Sequence, residues 1–306
     1  MELFGSYLTI LLGVIPAMCA GILATFAITL IFKTSYTTNF AQGVVSAIGA
    51  YVAVELTMQK GLPLWAVAML GVIVSFAVGV LIDVCIFRRG RNVNTLGKQI
   101  ISMGLISLFI GIIPFIFSIT KLESVPVQPF IPNTEGFTIP GVNVFVPYNT
   151  LVAAAIAIVC LVLLFVLLQK SKWGLSVRAT ASNEMVAGMM GINTKIITAV
   201  SWGIAGALGA VAAIIYVGRV PLTDGYIMTA TQINAFLAGI LGGFATFYGP
   251  ILGALIIYML DVVVGCICIH APVLSNWKPA LVYAIVMLLV LWKPQGLFGK
   301  KMVKKV

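Results

Sequence analysis

Long apolar stretches separated by short polar interruptions run the length of the chain, and their lengths set the expected fold. A helix needs about 20 apolar residues to cross the hydrocarbon core of a bilayer. Runs of that order lie at 6–32, 34–54, 62–82, 99–119, 150–169, 196–217, 225–260 and 279–292. The run at 225–260 is too long for one ordinary crossing, and its middle reads GILGGFATFYGPILGA. There Gly242 and Gly243, then Gly249 and Pro250, break the helix and turn the chain back, leaving two short passes at 227–241 and 249–267. The pattern predicts an all-α polytopic membrane protein, one transmembrane domain over 1–306 with about nine crossing segments, some short or broken. The first run is expected to remain as a helix, because no Lys or Arg precedes it and it exceeds a signal peptide's apolar core.

Composition agrees: 61% of residues are hydrophobic, 8% are charged and the mean hydropathy is +1.14, outside the range of soluble domains. The net charge of +10 is read as topology and not as a nucleic-acid footprint, since basic residues mark loops that stay in the cytoplasm. With the N-terminus outside, 14 of the 18 basic residues fall inside, around Lys33, Arg88–Lys98, Lys170–Lys195, and Lys293 with the tail at 294–306. A single pass over 225–260 would carry that basic C-terminus to the other side, which supports splitting the run. The longest external segment, 120–149, carries FTIPGVNVFVP, whose alternation fits either a short hairpin or a plain loop.

Recognisable catalytic chemistry is missing from the sequence. There is no GxxxxGK[ST] phosphate loop, GLFGKK lacks the spacing, and one His with no GxSxG or HExxH leaves no hydrolase pattern. The chain is therefore expected to be no enzyme and to bind no cofactor of its own. Cys266, Cys268 and His270 are close in sequence, but on a helix they point in different directions, so no metal site is expected. Glu55, Asp83 and Asp261 lie in or near spans, where acids are costly enough to attract functional interest. Proton or sodium coupling through Asp83 or Asp261 defines a rival reading, an ion-coupled secondary transporter.

The polar interruption SKWGLSVRATASNEMVAGMMGIN, 171–193, is expected to lie in the cytoplasm. Ser182 is placed as the cap of a helix with Glu184 in its first turn, favourable against the positive end of the helix dipole. Gly191 ends that helix in a left-handed conformation. Met185, Val186, Met189 and Met190 give it a flexible apolar surface suited to a partner's groove.

This segment resembles the coupling loop of ABC-transporter permeases of the branched-chain amino-acid type. NFAQGVVSAIGAYVA (Asn39 to Ala53), INAFLAGILGGFATFYGPILGALI (Ile233 to Ile256) and KPQGLFGKK (Lys293 to Lys301) match further motifs of that family, in order and at similar spacing. Departures fall at Gln42, where His is common, and at Gly188, where Ala is more usual. The resemblance implies a type II-like importer permease in a prokaryotic inner membrane. Its partners would be a second permease chain, identical or homologous, two ABC ATPase subunits that hydrolyse the ATP, and an extracytoplasmic substrate-binding protein. It places coupling to the ATPases at Ser182, Glu184, Met185, Ala187, Gly188 and Gly191. Related permeases also serve urea, nucleosides and sugars, so substrates other than hydrophobic amino acids stay open.

Two stretches combine helix breakers with polar groups at membrane depth, where unwound backbone can line a path. One is Asn39, Phe40, Gln42, Gly43 and Ser46; the other is Gly242, Gly243, Thr246 and Gly249, with Gln232 and Asn234 upstream. Close helix packing through glycine explains the same residues equally well.

Overall fold

The computed structural model describes residues 2–90, 93–118, 131–220, 222 and 225–299. The basic tail from 300 onward, Arg91 and the proline-rich start of the 120–149 segment lie outside the described residues. Among the described residues eleven α-helices occur in chain order: α1 (Glu2–Ser35), α2 (Gln42–Lys60), α3 (Leu64–Ile82), α4 (Thr95–Ser118), α5 (Tyr148–Lys170), α6 (Lys172–Ser182), α7 (Glu184–Met189), α8 (Thr194–Val217), α9 (Thr229–Gly242), α10 (Tyr248–His270) and α11 (Lys278–Trp292). Seven helical stretches are long and apolar enough to cross a membrane, and α2 and α9 are shorter apolar helices between them. The fold is thus an all-α polytopic membrane architecture, apart from a hairpin of strands β1 (Gly136–Ile139) and β2 (Val144–Pro147), antiparallel with Gly136 opposite Pro147.

Helix ends fall within a few residues of the apolar runs, with one correction. The run at 34–54 is not one helix: α1 continues to Ser35, the chain unwinds, and α2 begins only at Gln42. Tyr36 takes a left-handed φ of 49°, which ends α1, and its hydroxyl donates to the Ala181 carbonyl of α6 at 2.7 Å. Hydrophobicity alone misplaces this boundary because residues 34–41 carry no charge, and Thr37, Asn39 and Ala41 are buried in the bundle although Tyr36 is exposed.

The bundle is built around α8, which packs against α1, α2 and α3. Lipid tails are as apolar as leucine, so helices in a membrane associate through close packing and not through water exclusion. Small residues along α8 allow that approach. A Cβ on Gly206 would lie 2.2 Å from the Ser75 carbonyl oxygen of α3, and one on Gly209 would meet Ser46 Oγ of α2. Peripheral helices α4, α5 and α11 turn large apolar side chains outward, among them Ile100, Val159 and Leu288.

Gly206→Val is expected to lower stability by about 1–3 kcal/mol through overpacking. Gly104, with no atom within 4 Å of a Cβ position, should accept the same change with little loss. Thermal unfolding of both variants in detergent decides the point, and equal behaviour would refute the packing account.

Candidate functional site

Three groups of residues define the site: the α1–α2 break, the α9–α10 break and the helix pair α6–α7. At the first, Asn39 is buried and its side chain organises the turn, Oδ1 accepting from the Ala41 amide at 3.0 Å and Nδ2 donating to Gln42 Oε1 at 3.0 Å. Gln42 Nε2 donates to the Ala205 carbonyl at 2.8 Å. Ala205 is halfway along α8, so the break lies deep in the bundle. Gln232 of α9 closes the arrangement: its Oε1 accepts from the Gly43 amide, and its Nε2 donates to the Phe40 carbonyl. The Phe40 ring meets that of Phe236 at a tilt of 38° with centroids 5.0 Å apart, and Ser46 Oγ donates to the Gln42 carbonyl at 2.6 Å.

Each of these contacts answers one physical demand. Unwound backbone inside a bilayer has no water to bond with, so its amides and carbonyls need partners from the protein. Neutral carboxamides supply a donor and an acceptor without bringing a charge to that depth. Gln232, noted from sequence only as lying upstream, is the residue that joins the break to α9.

The second break is a separate place. Gly242 is ten positions beyond Gln232 along α9, about 15 Å along the axis. Gly243 takes φ 85° where α9 stops, and Thr246 Oγ1 accepts from the Gly249 amide at 3.0 Å as α10 starts. Gly242 and Gly249 touch backbone to backbone, since a Cβ on Gly242 would lie 1.9 Å from the Gly249 carbonyl oxygen. The segment after α11 covers the end of α9: the Leu297 amide donates to the Leu241 carbonyl at 2.7 Å and the Phe298 amide to the Gly242 carbonyl at 3.3 Å. Lys33 at the end of α1 donates to the Ala245 carbonyl and sits over the Phe247 ring. The sequence motif at 233–256 and the described part of the motif at 293–301, up to Gly299, therefore meet in space, which their separation along the chain does not reveal.

The polar interruption at 171–193 forms two helices, α6 and α7, set between α5 and α8. The expected cap is corrected here. Ser182 is the last residue of α6, and Asn183 caps α7, its Oδ1 accepting from the Val186 amide at 3.1 Å. Serine and asparagine are comparable caps, and the α6 helix extends far enough to take Ser182. Gly191 takes φ 84°; its amide donates to the Gly188 carbonyl at 3.1 Å and the Ile192 amide to the Ala187 carbonyl at 3.1 Å, which is a Schellman stop. Ala187 points into the bundle, whereas Met185, Met189 and Met190 are 73%, 78% and 79% exposed. Tyr36, Ser182, Asn183, Glu184 and Met185 line an open cleft beside α7.

The remaining suspects have partners elsewhere. Asp261 pairs with Lys278 at 2.9 Å, His270 Nε2 lies 2.6 Å from the Tyr7 hydroxyl, and Asp83 lies 3.5 Å from Arg88.

Comparison with known proteins follows this geometry. The family model described as "Branched-chain amino acid transport system / permease component" matches residues 9–291. The high-affinity branched-chain amino acid transport system permease protein BraD of Pseudomonas aeruginosa is 27% identical over 278 residues, 88% of each chain. LivH of Escherichia coli, described in the same terms, is 26% identical over 88% of this chain and 87% of its own. A probable branched-chain amino acid transport permease protein LivH of Methanocaldococcus jannaschii is 29% identical over 77% of this chain and 74% of its own. No solved structure matches the chain significantly.

Gln232→Leu would leave the Gly43 amide and the Phe40 carbonyl without their side-chain partner, a loss of about 1–3 kcal/mol per buried group. The thermal midpoint in detergent should fall, while Ile233→Leu at the exposed neighbouring position should leave it unchanged. A Gln232→Leu protein as stable as the parent would show that the bridge holds nothing.

Proposed function

The chain belongs to the family of branched-chain amino acid transport system permease components, and we propose that it is the membrane-spanning half of an importer driven by separate ATPase subunits. One observation carries the reading. Helix α7 holds Ala187 against the bundle and, with its cap residue Met190, turns three methionines to the outside, beside a cavity that Glu184 lines together with Arg88, Lys98 and Lys195. A helix this short barely holds together alone in water. Its caps and its seat on the bundle present a preformed, adaptable apolar surface, the kind a groove on another protein accepts. The methionine face is the docking surface for an ATPase subunit, with the N-terminus of the chain outside and the α6–α7 end in the cytoplasm.

ATP-driven movement of the ATPase pair would displace α7 and, through α6 and α8, the helices on either side, opening the path alternately to the two faces. Asn39, Phe40, Gln42, Gly43 and Ser46 form the inner part of that path, and Gly242, Gly243, Thr246 and Gly249 its cytoplasmic part. The substrates are branched-chain amino acids, delivered by an external binding protein, and a second permease chain completes the channel. Neutral carboxamides at the inner break suit a zwitterion with an apolar side chain.

Gly188 supports a clean test, because no described atom lies within 4 Å of a Cβ position there. Gly188→Trp combined with Glu184→Lys should leave membrane insertion intact. ATP-driven uptake in proteoliposomes holding the full complex should fall by about tenfold or more. P-loop ATPases should co-purify with the parent chain and not with the variant; unchanged uptake and co-purification would defeat the coupling assignment.

A further inference from the structure

Asp83 is a buried carboxylate, 5% exposed, that the reading of α7 leaves without a role. It opens a single π-turn, Asp83–Phe87, at the end of α3. Such turns interrupt the regular helical ladder and concentrate at functional places. The Arg88 guanidinium lies 3.5 Å from its carboxylate, and the same guanidinium donates to the Lys195 carbonyl at 2.9 Å, in the first turn of α8. Asp83 Oδ2 and Arg88 Nε make no hydrogen bond among the described residues, so the pair is held by charge more than by fitted geometry. Lys98 of α4, Thr198 of α8 and Glu184 of α7 line the same small cavity.

We propose that Asp83 and Arg88 form the joint that passes displacement of α7 to α3, a positioning pair whose role rests on the coupling reading of α7. The connection is continuous. Helix α7 stops at Gly191, and Asn193 caps α8 with its Oδ1 toward the Ile196 amide, so α7 and the first turn of α8 move together. Arg88 holds that turn by the Lys195 carbonyl, and Asp83 ties Arg88 to α3. Removing either charge leaves the other buried or unpaired, which makes the two move as one unit. Helix α3 then meets α2 with no slack: a Cβ on Gly71 would lie 2.3 Å from the Gly49 carbonyl oxygen, and Ser75 Oγ donates to the Val45 carbonyl at 3.3 Å. Helix α2 begins at the Asn39–Gln42 break, so a shift at α7 reaches the polar center of the bundle through packed contacts alone.

The test uses the complete transporter in proteoliposomes and reads substrate imported per ATP hydrolysed. Asp83→Asn should keep hydrolysis within about twofold while import per ATP falls by about tenfold, with Asp83→Glu recovering part of it. A purely structural role would lower hydrolysis and import together and leave the ratio unchanged, and that result would overturn the proposal. Arg88→Gln, at a partly exposed side chain, provides the same comparison if Asp83→Asn fails to assemble. A second readout is independent of the ATPases: the spin-label distance between positions 185 and 81, both exposed, in a permease whose native cysteines are replaced. One narrow distribution should broaden or shift in Asp83→Asn; an unchanged distribution refutes the joint. Lack of ATP-driven import by the parent complex would instead refute the coupling reading, with the spin-label result still judging the pair.

Discussion

Backbone hydrogen bonding without water is the constraint on which the rest of this structure depends. A continuous helix meets it internally, and seven stretches of the chain do so. Wherever the chain leaves the helix inside the bundle, another part of the protein has to supply donors and acceptors. At the α1–α2 break the carboxamides of Asn39, Gln42 and Gln232 perform that task, and at the end of α9 the amides of Leu297 and Phe298 perform it. The two solutions differ because of depth. The first break is buried beside the middle of α8, where side chains from neighbouring helices are within reach; the second lies at an end, where a returning segment of main chain can cover it.

The same constraint explains the distribution of small residues. Breaks stay satisfied only if the surrounding helices hold position, and in lipid that rigidity comes from close contact. Gly206 against Ser75 and Gly71 against Gly49 bring α3 within backbone distance of α8 and α2. Helix α8 therefore serves as a common reference for α1, α2 and α3, and its first turn is where α7 is attached. A membrane protein with loosely packed helices could hold neither the amide network nor a fixed relation between α7 and the bundle.

Much of the architecture was legible in the sequence, because apolar run length and helix length are tied by the same bilayer thickness. Most predicted runs end within a few residues of a helix end, and the division of 225–260 at Gly242 and Gly249 follows from backbone chemistry that only glycine tolerates. The failures have physical causes. Residues 34–41 carry no charge and Thr37, Asn39 and Ala41 are buried, so hydropathy hides the unwound segment, and Ser182 looks like a cap because Ser and Asn satisfy the same amides. Gln232 and Leu297 were beyond reach for a different reason. Their importance lies in which carbonyls they face, and those partners are about 190 and 56 residues away, a relation created only by packing.

Helix α9 links these observations. Its first turns carry Gln232, which grips the inner break, and its last carbonyls are held by the segment after α11. Lys33, from the end of α1, holds the loop that follows it. A helix of 14 residues is too short to be anchored by lipid at both ends, so its position is set by these protein contacts. Helix α9 is also packed along its length: a Cβ on Gly253 of α10 would lie 2.2 Å from the Ala238 carbonyl oxygen, and the Tyr283 hydroxyl of α11 donates to Asn234 Oδ1 at 3.0 Å. A segment held in that way is part of the frame itself, tied at both ends by hydrogen bonds and along its side by glycine contacts. A helix shorter than the bilayer keeps its ends satisfied because the α1–α2 break reaches one of them and the segment after α11 the other.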